Sequence, residues 1–374
     1  MTKLSCKSPL VHLNLGPNGH INLCCENRWT IRTHIDEIDD LEEFFNSSVM
    51  DYHREEITYK GNIKNLDSCK NCYWNTMKGD ETFRSRLEKY HTFPNEANDK
   101  KAREYGINVP IRYLEYTLSN ICNQKCAMCS SFFSNKWQDL DKELGREVHP
   151  LQKLGDDAIS KIEKVLYGLD YLEIKGGEPF ADIRNFRILK KLAEVNNKCE
   201  IKIVSNMHHI TPEAMDILKK FPNIKLFASV DGTNKIYDWI RGGNFKKTVD
   251  TMEKYYNETG NKVQIGTTIS LYNFFNLLDI QNYFEDKEYI NNIVFENWCR
   301  STKDGMPDIV GKDIYDKQIK IYKKKLKNFV PKEYENKDTF NFKSNFDKLN
   351  IDRGFDITDH VPELKEWYNR KWKT

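Results

Sequence analysis

The residues with the plainest chemical potential lie in 119-SNICNQKCAMCSS-131, where Cys122, Cys126 and Cys129 follow a C-x3-C-x2-C spacing. Closely spaced thiolates select soft metals: zinc, copper(I) or iron–sulfur clusters. A structural zinc site is closed by four ligands, and a complete four-iron cubane takes four thiolates. Three thiolates on one short loop leave one iron of such a cubane without a protein ligand, open to a small molecule. The alternative at this spacing is a zinc ion completed from a distance, for example by His208 or His209.

A second group lies in the first quarter of the chain: Cys6, Cys24, Cys25, Cys69 and Cys72. Residues 10-LVHLNLGPNGHINLC-24 alternate apolar and polar around Gly-Pro-Asn-Gly, a β-hairpin pattern that brings Cys6 near Cys24 and Cys25. A C-x2-C knuckle, 69-CKNC-72, follows a helical stretch around 36-DEIDDLEEFF-45. Cys6, one of Cys24 or Cys25, Cys69 and Cys72 make a full set of four thiolates, with a zinc knuckle as the other reading. Cys199 and Cys299 stand alone. Cys299 follows a strand and reads either as a cavity-facing hydrogen donor or as a small buried apolar residue.

The chain has 374 residues, 39% hydrophobic and 30% charged, with formal net charge +2. That is an ordinary globular balance, with no bulk field toward nucleic acid or a membrane. No apolar run approaches the roughly 20 residues of a membrane helix, and the N-terminus lacks the apolar core of a signal peptide. The expected location is the cytoplasm, where ten cysteines are not expected to form disulfides.

The elements that must position these residues read as strands alternating with helices. Strand patterns occupy 112-RYLEYTLSN-120, 171-YLEIK-175, 200-EIKIVSN-206, 225-KLFASVDG-232, 262-KVQIGTTIS-270 and 291-NNIVFENW-298. Between them, 156-DDAISKIEKVLYGLD-170 and 185-NFRILKKLAEVN-196 place apolar residues on one helical face. Thr211-Pro212 opens another helix, and one around Val249 and Met252 stops near Gly260. Six such units imply an α/β fold with a parallel sheet, either open or a partial (β/α)6 barrel. The triplet, 176-GGEP-179, Ser205-Asn206 and 229-SVD-231 all follow strands at their carboxyl ends, where barrels carry function.

The C-x3-C-x2-C loop after the first strand, with GGEP after the second, resembles the radical S-adenosylmethionine (SAM) superfamily over about residues 110–300. One departure is Met128, where many members have an aromatic residue. The resemblance implies a partial (β/α)6 barrel and a [4Fe-4S] cluster on Cys122, Cys126 and Cys129, with SAM on the open iron. Electron transfer from the cluster to the sulfonium would release a 5′-deoxyadenosyl radical, which abstracts hydrogen from substrate; thiolate clusters reach potentials down to about −700 mV. It further implies that Gly176, Gly177, Glu178 and Pro179 cradle the SAM amino group, the alternative being a plain β-to-helix turn. Ser205 and Asn206 would bond SAM or cap the next helix. Ser229 and Asp231 lie where the family meets the ribose, though Asp231 also begins a D-G turn. Arg241, in 240-IRGGNF-245, would pair with a carboxylate or be solvated.

The N-terminal cysteines resemble the SPASM/twitch modules of radical SAM enzymes, which hold auxiliary iron–sulfur clusters; four or five cysteines suit the twitch type, with one auxiliary [4Fe-4S] cluster. Such modules usually follow the barrel, whereas here the cysteines precede it. The resemblance implies oxidative modification of a peptide or protein side chain, with a flavodoxin- or ferredoxin-like electron donor. A Lys-rich C-terminal stretch, with 317-KQIKIYKKKLKNF-329 helical and aromatics in 366-EWYNRKWKT-374, reads as helices packed on the barrel. It also keeps open a nucleobase or nucleic-acid substrate. A zinc-binding scaffold without catalysis is a further reading. The expected organisation is 1–95 as the auxiliary module, 105–300 as the barrel and 301–374 as a helical extension.

Overall fold

The computed structural model describes residues 4–26, 31–79, 81–299, 305–335 and 342–372. Among them are eight strands: β1 (His12–Leu15), β2 (Ile21–Asn22), β3 (Tyr113–Thr117), β4 (Tyr171–Lys175), β5 (Glu200–Ser205), β6 (Ile224–Ser229), β7 (Val263–Ile269) and β8 (Ile290–Trp298). Strands β3 to β8 are the six strands of the expected (β/α)6 series, each inside or one residue outside the span read from its pattern. The α/β class holds. The chain divides into two compact units.

The first unit comprises residues up to Ser119, with Gln152–Ile203 and Lys220–Ile224. Its strands run β2-β1-β3-β4-β5. β1 and β2 form the expected antiparallel hairpin, Asn14 opposite Asn22. β1 also pairs parallel with β3, His12 opposite Tyr113, so the N-terminal cysteine segment shares a unit with the first strands of the parallel series. β3 pairs with β4 from Tyr113–Tyr171 to Thr117–Lys175, and β4 with β5 from Tyr171–Glu200 to Ile174–Ile203. Alternation divides these strands between two faces. Leu114, Tyr116, Leu172, Ile174, Ile201 and Ile203 line the apolar one and are buried. The helices Asp156–Val165 and Arg184–Val195 bury stripes that include Ile159, Ile162, Leu189 and Leu192, each such side chain contributing about 1.5–3 kcal/mol.

The second unit comprises Asn120–Leu151, Val204–Lys219 and the chain from Lys225. Here β6 and β7 are parallel, as are β7 and β8. Thr211 caps the helix Pro212–Leu218 by accepting from the Ala214 N–H. The helix Phe245–Thr259 ends at Gly260 with φ +71°, as its sequence implied. The C-terminal segment forms the helices Lys312–Lys325, Phe342–Arg353 and Pro362–Trp372. Among its aromatic residues, Phe346 packs on Trp239 with ring centroids 5.9 Å apart, and Trp367 packs on Phe342 at 5.8 Å.

Candidate functional site

The cysteine triplet lies in the second unit, on a loop tied down at both ends and in the middle. The Asn120 side chain donates to the carbonyls of Ser131 and Pro150, both at 2.9 Å. The Cys122 N–H donates to Asn135 Oδ1 at 3.0 Å, and the Trp137 indole donates to the Cys126 carbonyl at 2.9 Å. The Ala127 N–H donates to the Ile240 carbonyl at 2.6 Å, at the end of the helix Asn234–Arg241. The following glycines make that approach feasible. A Cβ on Gly242, whose φ is +60°, would stand 3.1 Å from the Lys125 carbonyl, and one on Gly243 would stand 2.4 Å from Gln124 Nε2.

Burial pushes the Cys126 and Cys129 thiols up, and Cys126 and Cys122 push Cys129 further in the same direction. Arg241 opposes the shift on Cys126. Burial alone would lower the Arg241 pKa, but Cys126 and Asp231 hold it well above its usual range. Arg241 Nη1 donates to Asp231 Oδ2 at 2.9 Å. Asp231 Oδ1 accepts from the Thr268 N–H at 2.7 Å, so both carboxylate oxygens are engaged. Arg241 Nε is buried and lacks a hydrogen-bond partner, which leaves a donor for an anionic group beside Cys126.

Asn206 follows β5, and its Nδ2 donates to Asn123 Oδ1 at 2.6 Å, inside the triplet loop. Ser205 Oγ accepts from the Met207 N–H, and Asn206 Oδ1 from the His208 N–H, both at 2.9 Å. Both side chains thus shape the turn after β5, where Met207 sits at φ +53°, and the next helix takes its cap from Thr211. Ser229 is the half-buried last residue of β6, in register with Gly266.

The GGEP turn lies in the first unit. Gly176 has φ +136°, and a Cβ there would meet Thr117 Cγ2 at 2.7 Å and the Ser119 carbonyl at 3.1 Å. The Gly177 N–H donates to that carbonyl at 3.3 Å. Glu178 is buried and caps the short 3-10 turn Pro179–Ala181, its Oε1 accepting from the Phe180 N–H at 3.1 Å. Ser119 donates to Asp182 at 2.6 Å, which fixes the turn to the end of β3.

Also in the first unit, Cys6, Cys24, Cys69 and Cys72 line one apolar cavity with Pro9, Leu23, Ile57, Ile63 and Phe83. Cys25 is not among the lining residues. Burial pushes the Cys6 thiol up to about 12, with Cys72 and Cys69 adding to it. Cys24 is raised well above its usual value by burial, then by Cys25 and Cys6. Among the described residues no group of three or more His, Cys, Asp and Glu side chains is gathered to hold a single metal ion. Ser8, Glu26, Ser68 and Arg84 also line the cavity; a four-iron cluster takes one thiolate per iron, and four cysteines around one cavity supply that number.

Sequence reasoning passed over the polar face of the first unit's sheet. Glu115 and Glu173 are both buried. The Lys175 ammonium lies 3.0 Å from Glu115 and 2.9 Å from Glu173, and Lys202 lies 2.9 Å from Glu173. The Tyr113 hydroxyl donates to Glu173 at 2.5 Å. Burial pushes the Glu173 carboxyl up, but Lys175 and Lys202 outweigh it and hold it low. The signal was present: parallel strands covered on both faces are near-continuously apolar, whereas YLEYT, YLEIK and EIK put a polar residue at alternate positions.

Residues 116–286 match the family model described as the Radical SAM superfamily. A 157-residue stretch is 26% identical to the sporulation killing factor maturation protein SkfB of Bacillus subtilis (strain 168), covering 41% of this chain and 34% of that protein. The chain therefore spans about a third of the length of this curated relative. Streptococcus suis SuiB bound to S-adenosylmethionine aligns with TM-score 0.42 and 16% identity, over 86% of this chain and 71% of that one. The structure of anSMEcpe with bound AdoMet aligns with TM-score 0.40 and 17% identity, over 52% of each chain.

Proposed function

We propose that this chain, whose residues 116–286 match the Radical SAM superfamily model, is an enzyme that oxidatively modifies a peptide or protein side chain. Cys122, Cys126 and Cys129 would hold a [4Fe-4S] cluster that leaves one iron to SAM. When bound, cluster and SAM supply an electron and a 5′-deoxyadenosyl radical able to take hydrogen from a substrate. The chain's own work is to hold, orient and shield. In the first unit, Gly176 and Gly177 would let backbone come close to a bound amino group, and Glu178 would offer such a cation a carboxylate. Arg241 keeps one guanidinium N–H for an anionic group at the triplet, and Asn206 steadies the loop through Asn123.

Cys6, Cys24, Cys69 and Cys72 would hold an auxiliary [4Fe-4S] cluster. Four thiolates leave no open iron, which suits electron transfer more than substrate binding. An electron acceptor fits an oxidative outcome, and a maturation protein among the partial relatives fits a polypeptide substrate. A flavodoxin- or ferredoxin-like donor in a reducing cytoplasm completes the reading. Among the described residues no helix is long and apolar enough to cross a membrane.

The observation that carries this reading is the triplet loop: its backbone is pinned by Asn120, Asn135 and Trp137, beside the unpartnered buried guanidinium nitrogen of Arg241. Anaerobic reconstitution tests it. About eight irons per chain are expected, four per cluster, with release of 5′-deoxyadenosine on reduction with SAM. Changing Cys122, Cys126 and Cys129 to Ala should halve the iron and abolish release. Full iron in that variant would sink the assignment.

A further inference from the structure

The helix Phe342–Arg353 lies well beyond the segment that the family model spans, yet its last two residues grip the triplet loop. Arg353 Nη2 donates to the carbonyl of Lys125, between Cys122 and Cys126. Arg353 Nε donates to the Trp239 carbonyl at 2.7 Å, in the helix whose Ile240 carbonyl takes the Ala127 N–H. Asp352 holds the same loop residue by its side chain, with Oδ1 2.5 Å from Lys125 Nζ, and also accepts from Arg353 Nη1. Lys125 is thus held at both backbone and ammonium by consecutive residues. The Arg353 side chain is only 7% exposed, and its charge bears on Cys126. A Cβ on Gly242 would stand 3.1 Å from the Arg353 guanidinium, so the glycine leaves room for the contact.

We infer that Asp352 and Arg353 form a clasp by which the C-terminal extension positions the cysteine loop, and that Arg353 also sets the potential of whatever the loop binds. Arg353 is a positioning residue, since its contacts are to carbonyl oxygens and a carboxylate. A guanidinium satisfies two carbonyls and one carboxylate from a rigid fork, which an ammonium cannot reproduce. A fixed positive charge near a thiolate-bound cluster favours the reduced form, because net charge and hydrogen bonding set such potentials. The clasp itself needs no cofactor; its redox consequence rests on the triplet holding the cluster proposed above.

Two measurements on the full chain separate these parts. Amide hydrogen exchange across residues 122–129 of cluster-free protein reads the clasp alone. Arg353→Ala should speed exchange there roughly tenfold, as expected for loss of a hydrogen-bonded anchor. Asp352→Ala should do so less, and serves as the second variant if Arg353→Ala does not fold. In reconstituted protein, Arg353→Ala should lower the reduction potential of the triplet's cluster. Arg353→Lys should restore the potential without restoring the exchange protection. Unchanged exchange in both alanine variants overturns the clasp, and an unchanged potential in Arg353→Ala overturns the redox role. Wild-type protein without iron on the triplet overturns the reading beneath the redox role, while the exchange result still decides the clasp.

Discussion

Arg241 and Asp231 are each other's partners: Nη1 meets Oδ2 at 2.9 Å, with the Asp231 side chain fully buried and that of Arg241 12% exposed. Read separately, Asp231 suited a ribose hydroxyl or a D-G turn, and Arg241 a carboxylate partner or a solvated surface. Together they form a buried ion pair. Removing one member of such a pair strands the other, at a cost of about 3–5 kcal/mol. Asp231→Ala and Arg241→Ala should each destabilise the fold by that order in urea unfolding. The double variant should cost clearly less than the sum. Strict additivity would mean that the pair is not coupled.

Gly176 leaves no room for a side chain in this turn. Its φ of +136° is strained for any L-residue, and the added Cβ would lie 2.7 Å from Thr117 Cγ2. Gly176→Ala should cost about 1–3 kcal/mol, read as a lowered denaturant midpoint. Adding Thr117→Ser removes the colliding methyl and should recover part of the loss, the backbone strain remaining. No recovery would place the whole cost in the backbone or in the Ser119 carbonyl, 3.1 Å away.

The strands and the N-terminal hairpin were legible because they obey local rules: period-two alternation and turn residues. Partnerships between distant residues were not. The hairpin pattern around Gly19 announced that β1 pairs with β2, but nothing local announced that His12–Leu15 also lies along β3. The bond from Arg353 to the Lys125 carbonyl joins positions 228 apart in sequence, where periodicity carries no information. The choice between Cys24 and Cys25 is equally non-local. Adjacent residues in extended chain point to opposite sides, so only the surrounding walls decide which thiol joins Cys6, Cys69 and Cys72.

Those walls give a direct test. Cys24 lines the cavity with the other three cysteines, whereas Cys25 feels Glu115 and Lys175 of the polar sheet face, burial being the main cause of its pKa of about 12. Cys24→Ala should bring reconstituted iron from about eight to about four per chain, and Cys25→Ala should leave it near eight. Loss of four irons in Cys25→Ala alone would reverse the assignment.

His12 should make the protein acid-sensitive. Its ring is fully buried, and Nδ1 lies 2.7 Å from the Leu23 carbonyl, which only accepts, so Nδ1 carries the proton. Nε2 is then an acceptor, 3.7 Å from Glu115 Oε2, and neither atom has a hydrogen-bond partner. Burial lowers the His12 pKa from 6.5 to about 3. Between those values the unfolded chain takes up a proton that the folded chain refuses, so stability falls as pH drops, by about 1.4 kcal/mol per unit. Glu115 acts in the opposite sense, because burial raises its carboxyl and the folded state keeps that proton longer. The His12 contribution is isolated by comparison with His12→Gln. From pH 7 to pH 5 the wild type should lose about 2 kcal/mol more than the variant in urea unfolding. Equal losses would mean that His12 is protonated in the fold, paired with Glu115 across the 3.7 Å gap.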